Sequence, residues 1–176
     1  MDRLETIASL VRDVPDFPKP GILFKDITPL LASPTGFAMT IEELVARAPE
    51  GIDVVAGIES RGFLFGAPVA LELGIGFVPV RKPGKLPYES IEESYDLEYG
   101  SNTLSMHVDA IEPGARVLLI DDLVATAGTL VASAKLVERL GGAVAHVQAV
   151  IELADLGGRE VLRQAGITSY DVLVSC

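Results

Sequence analysis

Thirteen consecutive residues carry most of the information about the architecture of this chain: Val117-Leu118-Leu119-Ile120-Asp121-Asp122-Leu123-Val124-Ala125-Thr126-Ala127-Gly128-Thr129. The first four are apolar on both alternating faces, which is typical of a central parallel strand covered by helices on each side. Two acids and a run of small residues follow, and the apolar periodicity from Leu130 onward predicts a helix. The segment therefore predicts a strand, a tight turn and a helix, in that order.

The same alternation of strand-like and helical segments occurs on either side. Strand-like runs extend over Asp53 to Ile58, Gly76 to Val80 and Ala143 to Ile151, and helical runs over Phe63 to Leu73 and Thr129 to Leu140. This rhythm is typical of βαβ units. It predicts an α/β fold with a mostly parallel central sheet and helices on both faces, and the strand from Val117 lies mid-sheet.

Two helices are predicted before the first of these strands. Asp2 and Glu5 resemble a capping box ahead of an apolar stripe. Ser33-Pro34 offers an N-cap and a favoured first helical position for a helix that ends near Ala48. The segment Pro15 to Gly21 between them contains three prolines, so we expect an extended surface loop there.

Composition limits the classes of function. With 176 residues and 49% hydrophobic content, the chain fits one compact domain. A net charge of -11 disfavours nonspecific binding to nucleic acid or to anionic membranes. The one cysteine, Cys176, permits no internal disulfide, and no signal peptide or membrane-spanning run is recognisable. We expect a cytoplasmic protein.

The turn after the two acids has the composition of an anion-binding loop. In open parallel sheets, ligands bind outside the carboxyl ends of the strands. Small residues let backbone N–H groups surround an anion, and the following helix directs its positive end toward it. Asp121 and Asp122 can then accept hydrogen bonds from ribose hydroxyls. The residues expected to bind the 5′-phosphate are Ala125, Thr126, Ala127, Gly128 and Thr129.

Each feature of this segment also occurs in turns that bind nothing. An acid after a strand is often only a helix cap, and small residues are common at helix starts. The chain contains neither G-K-[ST] in this turn nor G-x-G-x-x-G anywhere, which disfavours nucleoside triphosphate hydrolysis and dinucleotide binding. A receiver-like signalling domain would carry its acidic pair after an early strand, whereas Asp121 lies about two thirds along the chain.

Residues 117–129 resemble the phosphoribosyl pyrophosphate signature of the type I phosphoribosyltransferases. Four further segments, in the same order, are similar to the adenine phosphoribosyltransferases within that family: Pro18-Lys19-Pro20-Gly21-Ile22-Leu23-Phe24, Glu59-Ser60-Arg61-Gly62-Phe63, Arg81-Lys82-Pro83-Gly84-Lys85-Leu86-Pro87 and Tyr95-Asp96-Leu97-Glu98-Tyr99-Gly100. The resemblance implies the type I phosphoribosyltransferase fold in a single domain, residues 1–176. It also implies a small N-terminal hood, about residues 1–35, and a long mobile lid loop, about residues 81–100.

The activity implied by the resemblance is transfer of the 5-phosphoribosyl group from phosphoribosyl pyrophosphate to adenine, which gives AMP and pyrophosphate in purine salvage. Mg²⁺ would be held mainly by the substrate, with no direct protein ligand, and the protein would be a homodimer. A hypoxanthine or guanine enzyme is the nearest alternative, because the residues do not separate amino from oxo purines. A non-catalytic phosphoribosyl pyrophosphate sensor is another, which the acidic charge disfavours.

The resemblance also assigns roles to residues outside the phosphate turn. It implies pyrophosphate binding by Glu59, Ser60, Arg61, Arg81 and Lys85. Arg61 would also be catalytic, and the last two would reach a neighbouring subunit's site. Without the resemblance, Arg61 is equally well a surface ion pair, and the basic residues after it a solvated turn.

The base and the lid complete the implied site. Adenine would contact Leu23, Phe24 and Lys25, with Phe24 stacking on the purine, although by itself Phe24 is more typical of a core aromatic. Glu98 would manage the proton on the imidazole ring of the purine, and Tyr99 would belong to the lid. An isolated glutamate on a loop is more often only solvated.

Two positions depart from the family pattern. Ala127 stands where glycine is common, which matters if that residue needs positive φ. Lys25 stands where arginine is usual, so the charge is kept and the planar donor fork is lost. Both departures bear on binding of the substrates and leave the fold prediction unchanged.

Overall fold

The computed structural model describes residues 2–96 and 101–176. Within these ranges the helices are α1 (Arg3–Ser9), α2 (Thr28–Ala32), α3 (Pro34–Arg47), α4 (Gly62–Leu73), α5 (Gly128–Arg139) and α6 (Gly158–Gln164). The strands are β1 (Arg12–Pro15), β2 (Leu23–Asp26), β3 (Val54–Ile58), β4 (Gly76–Val80), β5 (Ser90–Asp96), β6 (Ser101–His107), β7 (Arg116–Val124), β8 (Ala143–Glu152) and β9 (Tyr170–Ser175).

The centre of the fold is a five-stranded sheet with the strand order β4-β3-β7-β8-β9, and every neighbouring pair in it is parallel. The predicted α/β class, with a parallel sheet flanked by helices, is confirmed. So is the mid-sheet position of the strand that contains Val117. The carboxyl ends of β3 and β7 lie side by side in this order, and they carry the residues singled out in the sequence.

Strand β7 is buried on both faces, as its uninterrupted apolar run predicts. Val117 and Leu119 pack into a core that includes Leu130 of α5, and Leu118 and Ile120 pack into the opposite core, which includes Phe65 of α4. All of these side chains are fully buried. Burial of each side chain contributes about 1.5–3 kcal/mol, so the strand is a rigid support for whatever follows it.

The N-terminal helices form as predicted. In α1 the capping box is complete, because the Asp2 side chain accepts a backbone N–H and the Glu5 carboxylate accepts the N–H of Asp2. In α3 the Ser33 hydroxyl accepts the N–H of Gly36, and the helix ends with Ala48 as its C-cap. Short α2 and strand β1 were not predicted, since neither is long enough to show a hydrophobic period.

Two antiparallel hairpins lie outside the main sheet. Strands β1 and β2 form the first, which encloses the proline-rich segment and places Phe24 opposite Val14. Strands β5 and β6 form the second. The segment predicted as a lid loop, about residues 81–100, therefore contains a strand that the sequence did not predict, Ser90–Asp96. Side chains at positions 91, 93 and 95 are half-buried and those at 92 and 94 are exposed, but polar residues on both faces hide this alternation in the sequence.

No helix in the described part of the chain has the length and apolar character needed to cross a membrane.

Candidate active site

A cavity of about 280 Å³ lies at the carboxyl edge of the sheet, where β3 and β7 end. Its walls come from the turn after β3, the end of β7, the turn before α5 and one residue of the β5–β6 hairpin. The lining residues are Ile58, Glu59, Ser60, Arg61, Tyr95, Asp121, Asp122, Leu123, Ala125, Thr126, Ala127 and Thr129. A larger cavity, about 470 Å³ around Asp53 and Glu112, lies at the opposite, amino edge and contains none of these groups.

The turn before α5 is shaped as a cradle for an anion. Ala127 has φ 63° and ψ 6°, a left-handed conformation, and no side chain caps α5. The first N–H groups of the helix are therefore free of side-chain acceptors and lie beside the cavity, where the helix dipole favours a negative group. Ala127 thus occupies a position that does need positive φ, at a cost of about 1–2 kcal/mol for a residue other than glycine. Alanine is tolerated at this position because its methyl group is the smallest side chain after the hydrogen of glycine.

Asp121 and Asp122 are both buried, with 8% and 5% of their surface exposed. Their mutual geometry is defined by a hydrogen bond in which the N–H of Asp122 donates to Oδ1 of Asp121, at 2.9 Å. Arg61 Nε lies 2.9 Å from Oδ2 of Asp122 and forms an ion pair with it. Among the described residues no ion pair reaches Asp121. The guanidinium of Arg61 therefore pairs with one of the two buried carboxyl groups, that of Asp122.

The proton affinities of the two acids follow from this arrangement. Burial, reinforced by the charge of Asp122, raises the pKa of Asp121 well above the ordinary value. Burial also raises the pKa of Asp122, although the charge of Arg61 opposes the change. Two buried carboxyl groups with raised pKa values therefore lie at the edge of the cavity, and such perturbed pKa values are characteristic of functional sites. Gly62 permits it, since a Cβ there would lie 2.8 Å from the carbonyl oxygen of Ile120 and 3.1 Å from Oδ1 of Asp121.

Arg61 connects the acids to the first hairpin. Its guanidinium carbon lies 5.3 Å from the centre of the Phe24 ring, a cation–π distance, while its Nε holds Asp122. Phe17 packs edge-on against the same ring at 5.0 Å. Phe24 is thus half-buried between Phe17 and Arg61, and the alternative that it is a core aromatic does not hold.

The segments expected to bind pyrophosphate divide into two groups. Glu59 and Ser60 line the cavity and are joined by a cis peptide bond. Arg81 and Lys85 do not line it. Arg81 instead donates from Nε to the Glu59 carboxylate at 3.1 Å, and its Nη1 donates to the carbonyl oxygen of Lys85. Glu59 also accepts the N–H of Lys82 at 2.9 Å, so this carboxylate organises the basic turn.

The residues expected at the base lie on β2, next to the cavity rather than in its walls. Leu23 is 49% exposed and Phe24 is half-buried. Lys25 Nζ lies 2.6 Å from Asp13 Oδ1, and this hydrogen bond raises the pKa of Lys25. Only 12% of the Lys25 side chain is exposed. The residue that replaces the usual arginine therefore has its ammonium group in an ion pair with Asp13 of the same chain.

Three wall residues were not singled out from the sequence: Ile58, Tyr95 and Leu123. Leu123 could have been identified, because it directly follows the two acids. Tyr95 could not, since its approach depends on the hairpin. Glu98 and Tyr99 lie outside the described residues.

Metal-binding side chains are not grouped within residues 2–96 and 101–176: no three His, Cys, Asp or Glu residues lie together in a way that could hold an ion. The two histidines have structural partners. His146 Nδ1 lies 2.8 Å from the Ser169 hydroxyl, and His107 Nε2 accepts the N–H of Tyr88.

Comparison with known proteins identifies the family to which the chain belongs. The phosphoribosyl transferase domain family matches residues 27–171. The chain is 61% identical to the adenine phosphoribosyltransferase of Cutibacterium acnes, over 98% of each chain. The chain belongs to the adenine phosphoribosyltransferases. It is therefore a transferase, and both the family and the fold expected from the sequence segments are confirmed.

Solved structures agree over the same length. The adenine phosphoribosyltransferase from Thermoanaerobacter pseudethanolicus superposes with a TM-score of 0.92 at 48% identity, covering 98% of this chain and 99% of that one. The enzyme from Saccharomyces cerevisiae, solved with D-2,5-dideoxy-2,5-imino-altritol 1,6-bisphosphate and adenine, superposes with a TM-score of 0.87 at 38% identity, covering 97% and 98%. The similarity to adenine phosphoribosyltransferases thus covers nearly the whole chain and is not confined to the phosphate turn.

Proposed function

We propose that this protein transfers the 5-phosphoribosyl group of phosphoribosyl pyrophosphate to adenine, forming AMP and pyrophosphate in purine salvage. The observation that carries the proposal is the cavity in which a cradle of backbone N–H groups meets two buried acids and one arginine. A sugar phosphate fits this cavity, because its phosphate needs the backbone N–H donors of the cradle and its hydroxyls need the carboxylate acceptors.

The roles of the sugar-binding residues follow from the chemistry of glycosyl transfer. The residues at positions 125–129 bind the 5′-phosphate, and Asp121 and Asp122 accept the ribose hydroxyls. Departure of pyrophosphate from C1′ builds positive charge on the ribose ring, as in other glycosyl transfers. The two carboxylates favour that charge in a buried site, where their effect is largest.

The leaving group is stabilised by the turn after β3. Glu59, Ser60 and Arg61 present this turn to the cavity, and the Arg61 guanidinium is already within reach of the sugar acids. When pyrophosphate is present, the guanidinium can form paired hydrogen bonds with its oxygens. Arg81 and Lys85 do not line the cavity of their own chain, which supports a role at the site of a partner subunit in a homodimer.

Adenine occupies the region beside β2. Phe24 stacks on the purine, and Leu23 and Lys25 flank it. The choice of adenine rests on the relatives, including the yeast enzyme that was solved with this base. Glu98 takes the role of managing the imidazole proton as the purine nitrogen bonds to C1′. Tyr99 lies in the same lid.

Mg²⁺ is the proposed cofactor. The oxygens of the substrate would hold the ion, and the carboxyl groups of Asp121 and Asp122 would lie near it at the edge of the cavity. When bound, Mg²⁺ neutralises charge on the pyrophosphate oxygens as the bond to C1′ breaks.

The proposed organisation is a single domain of residues 1–176 in a cytoplasmic homodimer. Residues 1–35 form the hood, which carries the β1–β2 hairpin. Residues 81–100 act as the lid, whose closure excludes water as a competing nucleophile. Within this segment, residues Ser90–Asp96 form β5, which pairs with β6.

One incubation series tests the proposal. The protein is mixed with phosphoribosyl pyrophosphate and Mg²⁺, and adenine, hypoxanthine or guanine is added to separate samples while pyrophosphate release is followed. We expect release with adenine and formation of AMP. Release with only an oxo purine would reassign the base, and tight binding of the sugar without release would indicate a sensor. Asp122→Asn, which removes an acid from the sugar site, is the matched inactive control.

A further inference from the structure

Tyr95 approaches the sugar-phosphate site from a different part of the chain than its other walls. It lies near the end of β5, opposite Asn102 in the hairpin register, yet its ring lines the cavity together with Asp121 and Thr126. The side chain is half-buried and packs against the core on the α5 side of the sheet. The ring therefore closes the side of the cavity that faces the hairpin.

The contact between Tyr95 and Gly128 is unusually close. A Cβ built on Gly128 would lie 2.8 Å from Cδ2 and 3.3 Å from Cε2 of the ring. A distance of 2.8 Å cannot be accommodated without movement of the ring, and Gly128 is the first residue of α5, directly after left-handed Ala127. The aromatic ring thus covers the first turn of the helix whose N–H groups form the cradle.

The phenol has the protonation state that an anion requires. Burial raises the pKa of Tyr95 and the nearby charge of Asp121 raises it further, although a hydrogen bond with the Asn102 side chain opposes the change. A phenol that stays protonated can donate a hydrogen bond to a phosphate or sugar oxygen. Tyr95 is the residue with a phenol among those that line the cavity, beside two acids and one arginine.

We propose that Tyr95 is a substrate-binding residue, which closes the hairpin side of the cradle and donates a hydrogen bond to the phosphoribosyl group. Gly128 is glycine because the Tyr95 ring occupies the space of a Cβ at that position. This inference rests on the proposed function, since it assumes that the cradle holds a sugar phosphate.

Two measurements on the intact protein test the hydroxyl: binding of ribose 5-phosphate by calorimetry, and steady-state kinetics with both substrates varied. Tyr95→Phe keeps the ring and removes the donor. We expect the Kd for ribose 5-phosphate and the KM for phosphoribosyl pyrophosphate to rise about tenfold, the effect of a hydrogen bond worth about 1.4 kcal/mol, with the KM for adenine changed less than about twofold. Tyr170→Phe is the matched control, because Tyr170 is also half-buried and packs against the same core, but does not line the cavity.

A double-mutant cycle tests the ring. Gly128→Ala should weaken ribose 5-phosphate binding at least about tenfold in the wild-type background, and much less in a Tyr95→Ala background, where the ring is gone. Equal losses in both backgrounds would show that the ring does not cause them. An unchanged Kd and KM in Tyr95→Phe would overturn the hydrogen bond while an active wild type leaves the proposed function intact. A wild type that neither binds ribose 5-phosphate nor releases pyrophosphate would overturn both.

Discussion

Replacement of Asp121 by asparagine removes a buried negative charge and keeps the shape of the side chain. The amide oxygen can still accept the N–H of Asp122, so the local hydrogen bond survives. Asp121 is 8% exposed and lies next to a second buried acid, and the nearby Arg61 forms its ion pair with Asp122. The folded state therefore bears the cost of its charge at neutral pH, and the asparagine variant does not.

The size and pH dependence of the effect follow from the raised pKa of Asp121. Each tenfold increase in proton affinity corresponds to about 1.4 kcal/mol, so we expect Asp121→Asn to raise the free energy of unfolding by about 1–2 kcal/mol at pH 7.5. The melting temperature should rise by about 2–8 °C. A carboxyl group with a raised folded pKa stabilises the protein when protonated, and this contribution is lost as pH rises through that pKa. The advantage of the variant should therefore grow from about pH 4 toward neutral pH.

Activity should change in the opposite direction. Loss of a carboxylate that accepts a ribose hydroxyl and favours the cationic ring should lower kcat/KM at least about 100-fold. Urea unfolding followed by circular dichroism from about pH 5 to 8, together with the pyrophosphate-release assay, measures both effects. Asp109→Asn is the control, since it removes an exposed charge from the same acidic chain. An Asp121→Asn protein that is less stable than wild type at neutral pH, or whose advantage is independent of pH, would refute the electrostatic reasoning.

Three other substitutions test separate parts of the site and the sheet. Arg61→Ala removes the partner of Asp122, so activity should fall at least about 100-fold while the circular dichroism spectrum stays native. The free energy of unfolding should fall by about 1–2 kcal/mol, a limited loss because the arginine is partly exposed. Phe24→Leu should raise the KM for adenine about tenfold and leave the KM for phosphoribosyl pyrophosphate within about threefold, because the proposed stacking on Phe24 involves the base and not the sugar phosphate. His146 is buried, which lowers its pKa although Asp171 opposes the change. Wild type should therefore lose stability as pH falls from about 6.5 through the folded pKa, and His146→Gln should flatten that slope in urea unfolding.

Much of the architecture is encoded locally. An apolar run that continues on both faces is typical of a parallel strand covered on both sides, so Val117 to Ile120 indicated their place in the sheet. The capping residues Asp2 and Ser33 similarly fixed where their helices begin. These features depend on neighbours within a few positions, which the sequence displays directly.

Strand β5 was less predictable, because its outer positions and one of its inner positions, Glu93, are polar. Glu93 faces inward, where its carboxylate forms ion pairs with Lys135 and Arg139 of α5. An ion pair between distant segments leaves no hydrophobic period in the sequence. The strand was therefore missed, and with it the approach of Tyr95 to the cavity.

For the candidate site, the sequence determined the phosphate turn and the acid pair, since both lie in one strand–turn–helix unit whose geometry follows from the parallel sheet. Tertiary structure alone decided the partners: that Arg61 joins Asp122 to Phe24, that Lys25 is committed to Asp13, and that Tyr95 covers Gly128. The physical reason is that side-chain contacts between remote segments depend on how the elements pack, and residue order alone does not specify distances of a few ångströms across the fold.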